Sequence, residues 1–413
     1  MSNIYKIFAK VILNRISRVL DENQPREQAG FRNNYSTVDH IHVVKQIFEK
    51  SREYNFTLYC CFVDYCKAFD SLEHEMIWRA LNNQGIQNKY IRILRNIYEN
   101  STAKVKLEKE GKEIKIRRGV RQGDPISPKL FSAVLEEIFR KIEWKEKGLT
   151  INGEKLTHLR FADDLIVFSP TKEGLQEMLA DLEVESQKAG LMMNTSKTKI
   201  ITNSTEEPVT VGGRTIEYVS EYIYLGHLIS TNDLMSKEID RRIANAWKRY
   251  WNLKEIMKDR QMSMEIKRKL FDTCIIPILT YGCQTWALNK TQIRKLTTCQ
   301  NAMNRSMIGK KLSDKIRIET IRSKTKTRDV IVTIKRLKWK WAGHIVRGKD
   351  KWSKSILSWF LGHFKRKRGR PPRRWVDDIK KIAGPTWTRT AQDRHTWIML
   401  EEAYAVQQTD KNK

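Results

Sequence analysis

The sequence predicts an α+β fold, an antiparallel sheet with packed helices, followed by a helical and strongly basic remainder. Three observations carry this. Short apolar, β-prone runs at residues 58–63, 156–162 and 165–168 end at acids or turn residues, as strands do. Between and after them, longer segments repeat apolar residues at helical spacing. With 413 residues the chain can hold a large core and about two to three domains.

Taken in order, residues 1–20 read as a basic amphipathic helix with Ile4, Ile7, Phe8, Val11, Ile12 and Val19 on one broad face. A helix packed on the domain is the stronger reading of this segment, and a mitochondrial presequence the weaker. Residues 58–63 form a strand that ends in Asp64. Asp70, with Glu73 three residues on and Leu72, Met76, Ile77, Ala80 and Leu81 around and beyond it, reads as the N-cap of a capping-box-like helix start, which removes it from the catalytic candidates. The loop at residues 118–128 carries two glycines, two arginines and a glutamine. Ser127 reads as the N-cap and Pro128 as the first residue of the helix that follows, with Leu130, Phe131, Val134, Leu135, Ile138, Phe139 and Ile142 facing a core. Residues 156–162 and 165–168 predict a hairpin with Asp163 and Asp164 at its turn. Residues 173–189 predict a helix stopped by Gly190, and residues 191–201 lead into another strand with lysines beside it. Two further helices are expected at residues 233–256 and 264–281, with Trp247, Tyr250 and Trp251 packed inward.

The chemistry lies in the carboxylates. Asp64 ends one strand and Asp163-Asp164 lie between two others, so three acids can meet at the strand ends of one sheet. Adjacent acids cannot neutralise each other, and such a cluster needs cations. Hard oxygen ligands suit Mg²⁺, which completes its shell with water and substrate phosphates. Two such ions clamp the attacking and leaving oxygens of an in-line phosphoryl transfer. An isolated Asp-Asp is ordinarily a solvated turn. Here the apolar flanks argue otherwise, and the chain holds its own control: Asp377-Asp378 follows Arg373-Arg374 and precedes Ile379-Lys380-Lys381, with no closing strand. That second pair reads as helix-initiating surface acids.

The charge points to a polyanionic partner. The net charge is +30, and residues 310–374 contain 23 Lys and Arg against 4 Asp and Glu. Counterion release from nucleic acid is the natural source of affinity for such a stretch. Its tryptophans Trp339, Trp341, Trp352, Trp359 and Trp375 either stack on bases or form a small core. Cys60, Cys61, Cys66, Cys274, Cys283 and Cys299 show no metal-binding spacing and read as reduced thiols. No run reaches the apolar length of a membrane span, so no membrane partner is expected. A P-loop ATPase or helicase is excluded, because no G-x-x-x-x-G-K-[ST] occurs.

In this order, Gln28-Ala29-Gly30-Phe31-Arg32 with Ser36-Thr37, Val63-Asp64, Arg121-Gln122-Gly123-Asp124-Pro125, Phe161-Ala162-Asp163-Asp164, Asn194 with Lys197-Thr198-Lys199, and Tyr224-Leu225-Gly226 resemble the reverse transcriptases of non-LTR retrotransposons, LINE-type elements, most closely the RTE-like clade. The resemblance covers most of the chain. It implies a right-hand polymerase: partial fingers and palm over residues 1–230, a helical thumb and connection over 231–312, and a basic, Trp-rich, mostly helical C-terminal region over 313–413. The metal-binding acids of the family fall on Asp64, Asp163 and Asp164, holding two Mg²⁺ ions. Phe69 falls on the aromatic gate that crowds a ribonucleotide 2′-hydroxyl. Gln122 and Gly123 match residues lying against the incoming nucleotide, and Arg121 accompanies them as a nucleic-acid contact. Arg32 matches a fingers arginine near template phosphate. Lys197 or Lys199 matches the lysine that protonates pyrophosphate, and the choice stays open.

Two departures qualify the match. An Arg-Pro-Ile-Ser stretch that precedes the segment beginning at Ile4 in the family is absent here, as is the family's upstream endonuclease. A truncated copy is therefore the expectation. Lys365, Arg366, Arg368 and Arg370 lie in a basic run that reads as a nuclear localisation signal, an AT-hook-like DNA contact around Gly369, or a bland linker. The resemblance thus implies an RNA-directed DNA polymerase acting on an RNA template, a DNA primer, target DNA and dNTPs, located in the nucleus, with cytoplasmic ribonucleoprotein as a second location. The alternative is a catalytically inactive nucleic-acid-binding remnant. Oligomeric state cannot be read from the sequence.

Overall fold

The strand Tyr59-Cys60-Cys61-Phe62-Val63 is buried along its whole length, so it shows an unbroken apolar run instead of alternation. It is the middle strand of a five-stranded sheet, and the acids are placed by this strand and its neighbour. In this computed structural model the described residues are 1–106, 110–232, 235–348, 351–362, 364, 366, 369 and 373–406. They form two compact units, one of residues 1–40, 54–225 and 355–365 and the other of residues 41–53, 226–354 and 366–413.

The first unit runs α1 (Asn3–Glu22), the start of α2 (Thr37–Tyr54), β1 (Tyr59–Val63), α3 (Ala68–Ser71), α4 (His74–Asn83), α5 (Asn88–Glu99), β2 (Thr102–Lys106), β3 (Glu110–Lys115) and α6 (Ser127–Lys141). It continues through β4 (Leu149–Ile151), β5 (Glu154–Leu156), β6 (His158–Phe161), β7 (Asp164–Ser169), α7 (Lys172–Lys188), β8 (Lys199–Thr202), β9 (Thr210–Val211), β10 (Arg214–Thr215), β11 (Glu217–Tyr218) and β12 (Glu221–Tyr224). The main sheet has the order β11-β8-β1-β7-β6. Strand β1 is antiparallel to β7, with Val63 opposite Leu165, and to β8, with Cys61 opposite Ile200. Helices α1, α4, α5, α6 and α7 supply the apolar side chains, among them Ile16, Ile77, Leu94, Val134 and Leu179, that cover the sheet in one core. Each such side chain contributes about 1.5–3 kcal/mol on burial.

Several expectations change. The predicted strand 156–162 is two strands: Leu156 pairs with Leu149 in a separate hairpin, β4-β5, whose turn Asn152-Gly153 takes positive φ at both residues. That Asn-Gly dipeptide is the usual signal of a type I′ turn. Helix α1 buries Ala9, Ile12, Leu13, Ile16 and Leu20, whereas Ile4, Ile7, Phe8 and Val11 are exposed. Its apolar residues occupy more than one face, and the row that includes the small Ala9 is the one that docks. Asp70 is not an N-cap; it lies inside α3, and Glu73 precedes α4 without a side-chain cap. Ser127 does not cap α6 either. Ile126 stands at the cap position with no side-chain cap, and Asp124 fixes the turn before it: its Oδ1 accepts from the Ile126 N–H at 3.2 Å while its Oδ2 accepts from Tyr5 Oη at 2.5 Å.

The second unit is helical. After β13 (His227–Ser230) come α8 (Ser236–Asn252), α9 (Lys254–Met257), α10 (Met264–Leu270), α11 (Ile276–Leu279), α12 (Lys290–Met307), α13 (Ile318–Thr325), α14 (Val330–Arg347), α15 (Trp352–Ser355), α16 (Asp377–Ala383), α17 (Trp387–Gln392) and α18 (Arg394–Val406). One core runs from Ile239 and Tyr250 through Leu296 and Met303 to Val330 and Ile334, so no boundary falls at residue 312. The two units therefore divide the chain differently from the three-part expectation. Tyr250 is buried as expected and Trp247 packs against the core, but Trp251 is 46% exposed. The C-terminal tryptophans form core: Trp339 stacks on Trp397 at 3.9 Å, and Trp341 and Trp375 flank the buried His42 at 4.7 and 4.6 Å. Trp352 is likewise buried, and in the first unit Trp359 packs against Phe56. Indoles occupied in this way are not available for base stacking. Among the described residues, no helix is long and apolar enough to cross a membrane.

Candidate active site

Strands β6 and β7 are joined by the two-residue turn Ala162-Asp163, with Phe161 paired to Asp164. Ala162 has φ of +60°, a conformation usually left to glycine at the first position of a tight hairpin. Asp64 and Asp164 each lie one residue beyond the Val63–Leu165 pair, so they sit at the same end of neighbouring strands and face the same side. Asp64 is fixed at the backbone, its N–H donating to Thr198 Oγ1 at 3.2 Å and its carbonyl accepting from the Asn194 N–H at 2.8 Å.

The electrostatics show three carboxylates sharing one region. Partial burial, and then the charges of Asp163 and Asp64, push Asp164 up to about 6. Asp64 is also raised, first by burial and then by Asp163, with Lys197 opposing. Its Oδ2 is buried without a hydrogen-bond donor, and the nearest cation, Lys197 Nζ, is 3.9 Å away. Among the described residues no group of three or more His, Cys, Asp and Glu is drawn together as a finished metal cage. An orphaned carboxylate oxygen beside two further acids is nevertheless a donor set that fits a hard divalent cation.

The support behind the turn was not assigned from sequence. The Ala29 N–H donates to the Arg160 carbonyl and the Arg160 N–H to the Glu27 carbonyl, both at 2.9 Å. This lays the loop of residues 27–30 along β6. At Gly30 the fit is tight: a Cβ there would lie 2.2 Å from the Ala162 nitrogen. Only glycine lets this backbone meet the backbone of the acidic turn. Beneath it, the buried Arg160 binds Glu136 of α6 at 2.7 Å and covers the Phe139 ring. Tyr222 is a second residue the sequence did not reveal. Its ring stacks on Phe62 at 4.3 Å, and its hydroxyl is raised by burial and then by Asp164 and Asp64.

Phe69 is half-buried, stacked on Phe131 at 4.7 Å with Phe31 set edge-on at 6.5 Å. Its carbonyl accepts from the Val120 N–H at 2.7 Å, and the Leu72 carbonyl accepts from Gly119 at 2.7 Å, so the loop before α6 is held against α3. Gln122 reaches back through Nε2 to Asp70 Oδ1 at 3.2 Å. Gly123 has φ of +82°, and a Cβ at this position would meet no atom closer than 4.0 Å, which leaves that backbone open to approach.

The basic candidates separate. Lys197 lies beside Asp64, whereas Lys199 is bound to Glu217 of β11 at 2.5 Å. The Arg32 guanidinium donates to the carbonyls of Pro25 and Gln28 and lies over Tyr35, which holds its own loop together. Arg121 is likewise occupied, by the Ile97 carbonyl and Ser101 Oγ, with the rings of Tyr5 and Tyr98 against it. Arg366 pairs with Glu53. Lys365, Arg368 and Arg370 lie outside the described residues.

A central sheet, antiparallel as expected except that its edge strand β11 runs parallel to β8, whose strand ends gather three carboxylates and whose other face is backed by helices, is the palm of a nucleotide-polymerising enzyme. The chain belongs to the reverse transcriptase family: the family model described as reverse transcriptase (RNA-dependent DNA polymerase) matches residues 1–229, more than half of its length. Its relatives place it among the LINE-type, non-LTR retrotransposon enzymes. A transposon-derived protein of Caenorhabditis elegans is 31% identical over 273 residues, covering 61% of this chain and 97% of that one. A Pol polyprotein from the type-1 retrotransposable element R2 of Nasonia vitripennis is 35% identical over 184 residues, covering 41% of this chain but 18% of the polyprotein. Among solved structures, apo telomerase from Candida tropicalis matches with a TM-score of 0.41 at 15% identity, over 85% of this chain and 60% of that one. Reverse transcriptases as a family use divalent metal ions.

Proposed function

We propose that the chain extends the 3′-hydroxyl of a DNA primer along an RNA template with dNTPs, using two Mg²⁺ ions held by Asp64, Asp163 and Asp164. The observation that carries this is the register of β1 and β7, which sets Asp64 level with Asp164 beside the Asp163 turn. When bound, the ions supply the clamp on the attacking and leaving oxygens. The chain's own groups orient the substrates. Phe69, braced by Phe131, limits the space at the sugar C2′; Gln122 and the open backbone at Gly123 meet the nucleotide; and Lys197, exposed beside Asp64, is the proton donor to pyrophosphate. Nuclear residence, with target DNA as a further partner, follows from the activity and from the basic run that includes Arg366.

Primer extension on an RNA template with Mg²⁺ and dNTPs tests the reading. Wild type extends and Asp163→Asn does not. A folded wild type that binds RNA without extending it would identify an inactive binding remnant. Phe69→Val is expected to improve ribonucleotide use by about tenfold, since one or two buried carbons carry discrimination of that order. Unchanged sugar selection in competition assays removes the gate role.

A further inference from the structure

The second unit contains a cavity of about 310 Å³ that the polymerase reading does not use. Lys45 and Gln46 of α2 line it, with Glu49, Thr285, Arg52 and Arg373. Lys45 is 5% exposed, yet among the described residues its ammonium reaches only the Met235 thioether at 2.9 Å and Thr285 Oγ1 at 3.4 Å. An ammonium has three strong donors, and a sulfur and a long hydroxyl contact leave it short of acceptors. Gln46, 8% exposed, lines the same cavity, and its side chain makes no hydrogen bond among the described residues. Arg52 and Arg373 are exposed at the lining, and neither has an ion-pair partner among the described residues. Glu49 offers limited compensation: burial pushes it up to about 7, and its Oε2 already accepts from the Trp375 N–H at 3.0 Å.

We propose that this cavity binds the terminal phosphate of a nucleotide or of a nucleic-acid strand end. One buried ammonium and two guanidiniums answer the double charge of a terminal phosphate better than the single charge of an internal diester. The Gln46 amide supplies a further donor. The volume lies at the low end for small-molecule sites and suits one nucleotide, not a duplex.

The test uses the full chain carrying Asp163→Asn, in EDTA, so that the palm acids and their metals do not contribute. It is titrated with 5′-phosphorylated tetrathymidylate, the same oligonucleotide bearing a 5′-hydroxyl, and thymidine 5′-monophosphate. Salt at about 0.3 M screens general attraction to the basic chain. The expected result is that a terminal phosphate strengthens binding about tenfold or more, as charge-assisted hydrogen bonds do. Lys45→Met abolishes that preference, and Arg52→Gln and Arg373→Gln each reduce it severalfold. Tighter binding of the phosphorylated oligonucleotide than of the monophosphate assigns the site to a strand end; equal binding assigns it to a free nucleotide. Equal affinity for phosphorylated and unphosphorylated oligonucleotides overturns the proposal, as does a preference that survives all three substitutions. The two arginines are exposed, so their variants report even if Lys45→Met fails to fold. Primer-extension results leave this measurement untouched.

Discussion

Two Asp-Asp pairs in this chain have the same outline in sequence and opposite fates in the fold. Asp377-Asp378 opens α16, and the structure provides its counter-charge. Asp378 accepts from the buried Lys338 at 2.8 and 2.9 Å and from Tyr404 Oη at 2.9 Å, and Asp377 accepts from the Arg374 N–H at 2.8 Å. It was expected at the surface, but the Asp378 side chain is only 14% exposed. Among the described residues, Asp163-Asp164 has no such partner. It faces a third acid, Asp64, and among the described residues a single exposed lysine, Lys197, stands by the group, 3.9 Å from Asp64. A carboxylate pair neutralised by its own chain is part of the structure, and one left short of positive charge has the chemistry that the proposed cations would answer.

The comparison can be broken at its largest point first. Asp163→Asn should lower primer extension by about a thousandfold, because several kcal/mol of charge stabilisation at the reacting phosphate are lost. Asp377→Asn should leave the rate within about twofold, as surface substitutions away from a site do. Equal losses would erase the distinction. Stability should respond the other way round. Asp378→Ala strands the Lys338 ammonium and should cost about 3–5 kcal/mol in denaturant unfolding, while Lys338→Met combined with Asp378→Leu should recover most of it. Asp163→Ala should cost nothing measurable in the same assay. A smaller effect is expected from metal: Mg²⁺ at about 100 times its Kd should stabilise wild type by about 2.7 kcal/mol, and Asp64→Asn should remove the gain. The last concerns Lys45, an ammonium with no carboxylate bonded to it among the described residues. Burial holds it down to about 7, against 10.5 for an ordinary lysine. The unfolded chain therefore binds that proton more tightly, so stability should rise with pH across this window. Lys45→Met should flatten the slope in melts recorded between those limits.

The palm was legible because its signals are local. Residues 58–63 and 165–168 are strand formers whatever surrounds them, and a two-residue gap between apolar runs leaves little besides a hairpin. The Asp64–Asp164 alignment then follows from pairing. What could not be read depends on partners distant in sequence. Lys338 lies forty residues before Asp378, and nothing near either residue announces that the two meet. The exposed row of α1 was misjudged for the same reason, and the contacts that Arg32 and Arg121 make within the chain were not foreseen, since residue type gives capacity and tertiary contact decides its use. The tryptophans showed this most plainly: flanked by lysine and arginine they read equally as stacking platforms or core, and only the packing of α14 on α18 decided between the two.

Gly30 has no functional group, yet it touches the acidic turn atom to atom. A side-chain contact can yield by rotating a bond. Main chain against main chain has no such freedom, and here hydrogen bonds to β6 close the arrangement on both sides. The loop of residues 27–30 and the turn that carries Asp163 must therefore move as one body. The positional accuracy of the acidic turn is inherited from a segment more than a hundred residues away that contributes no carboxylate to it.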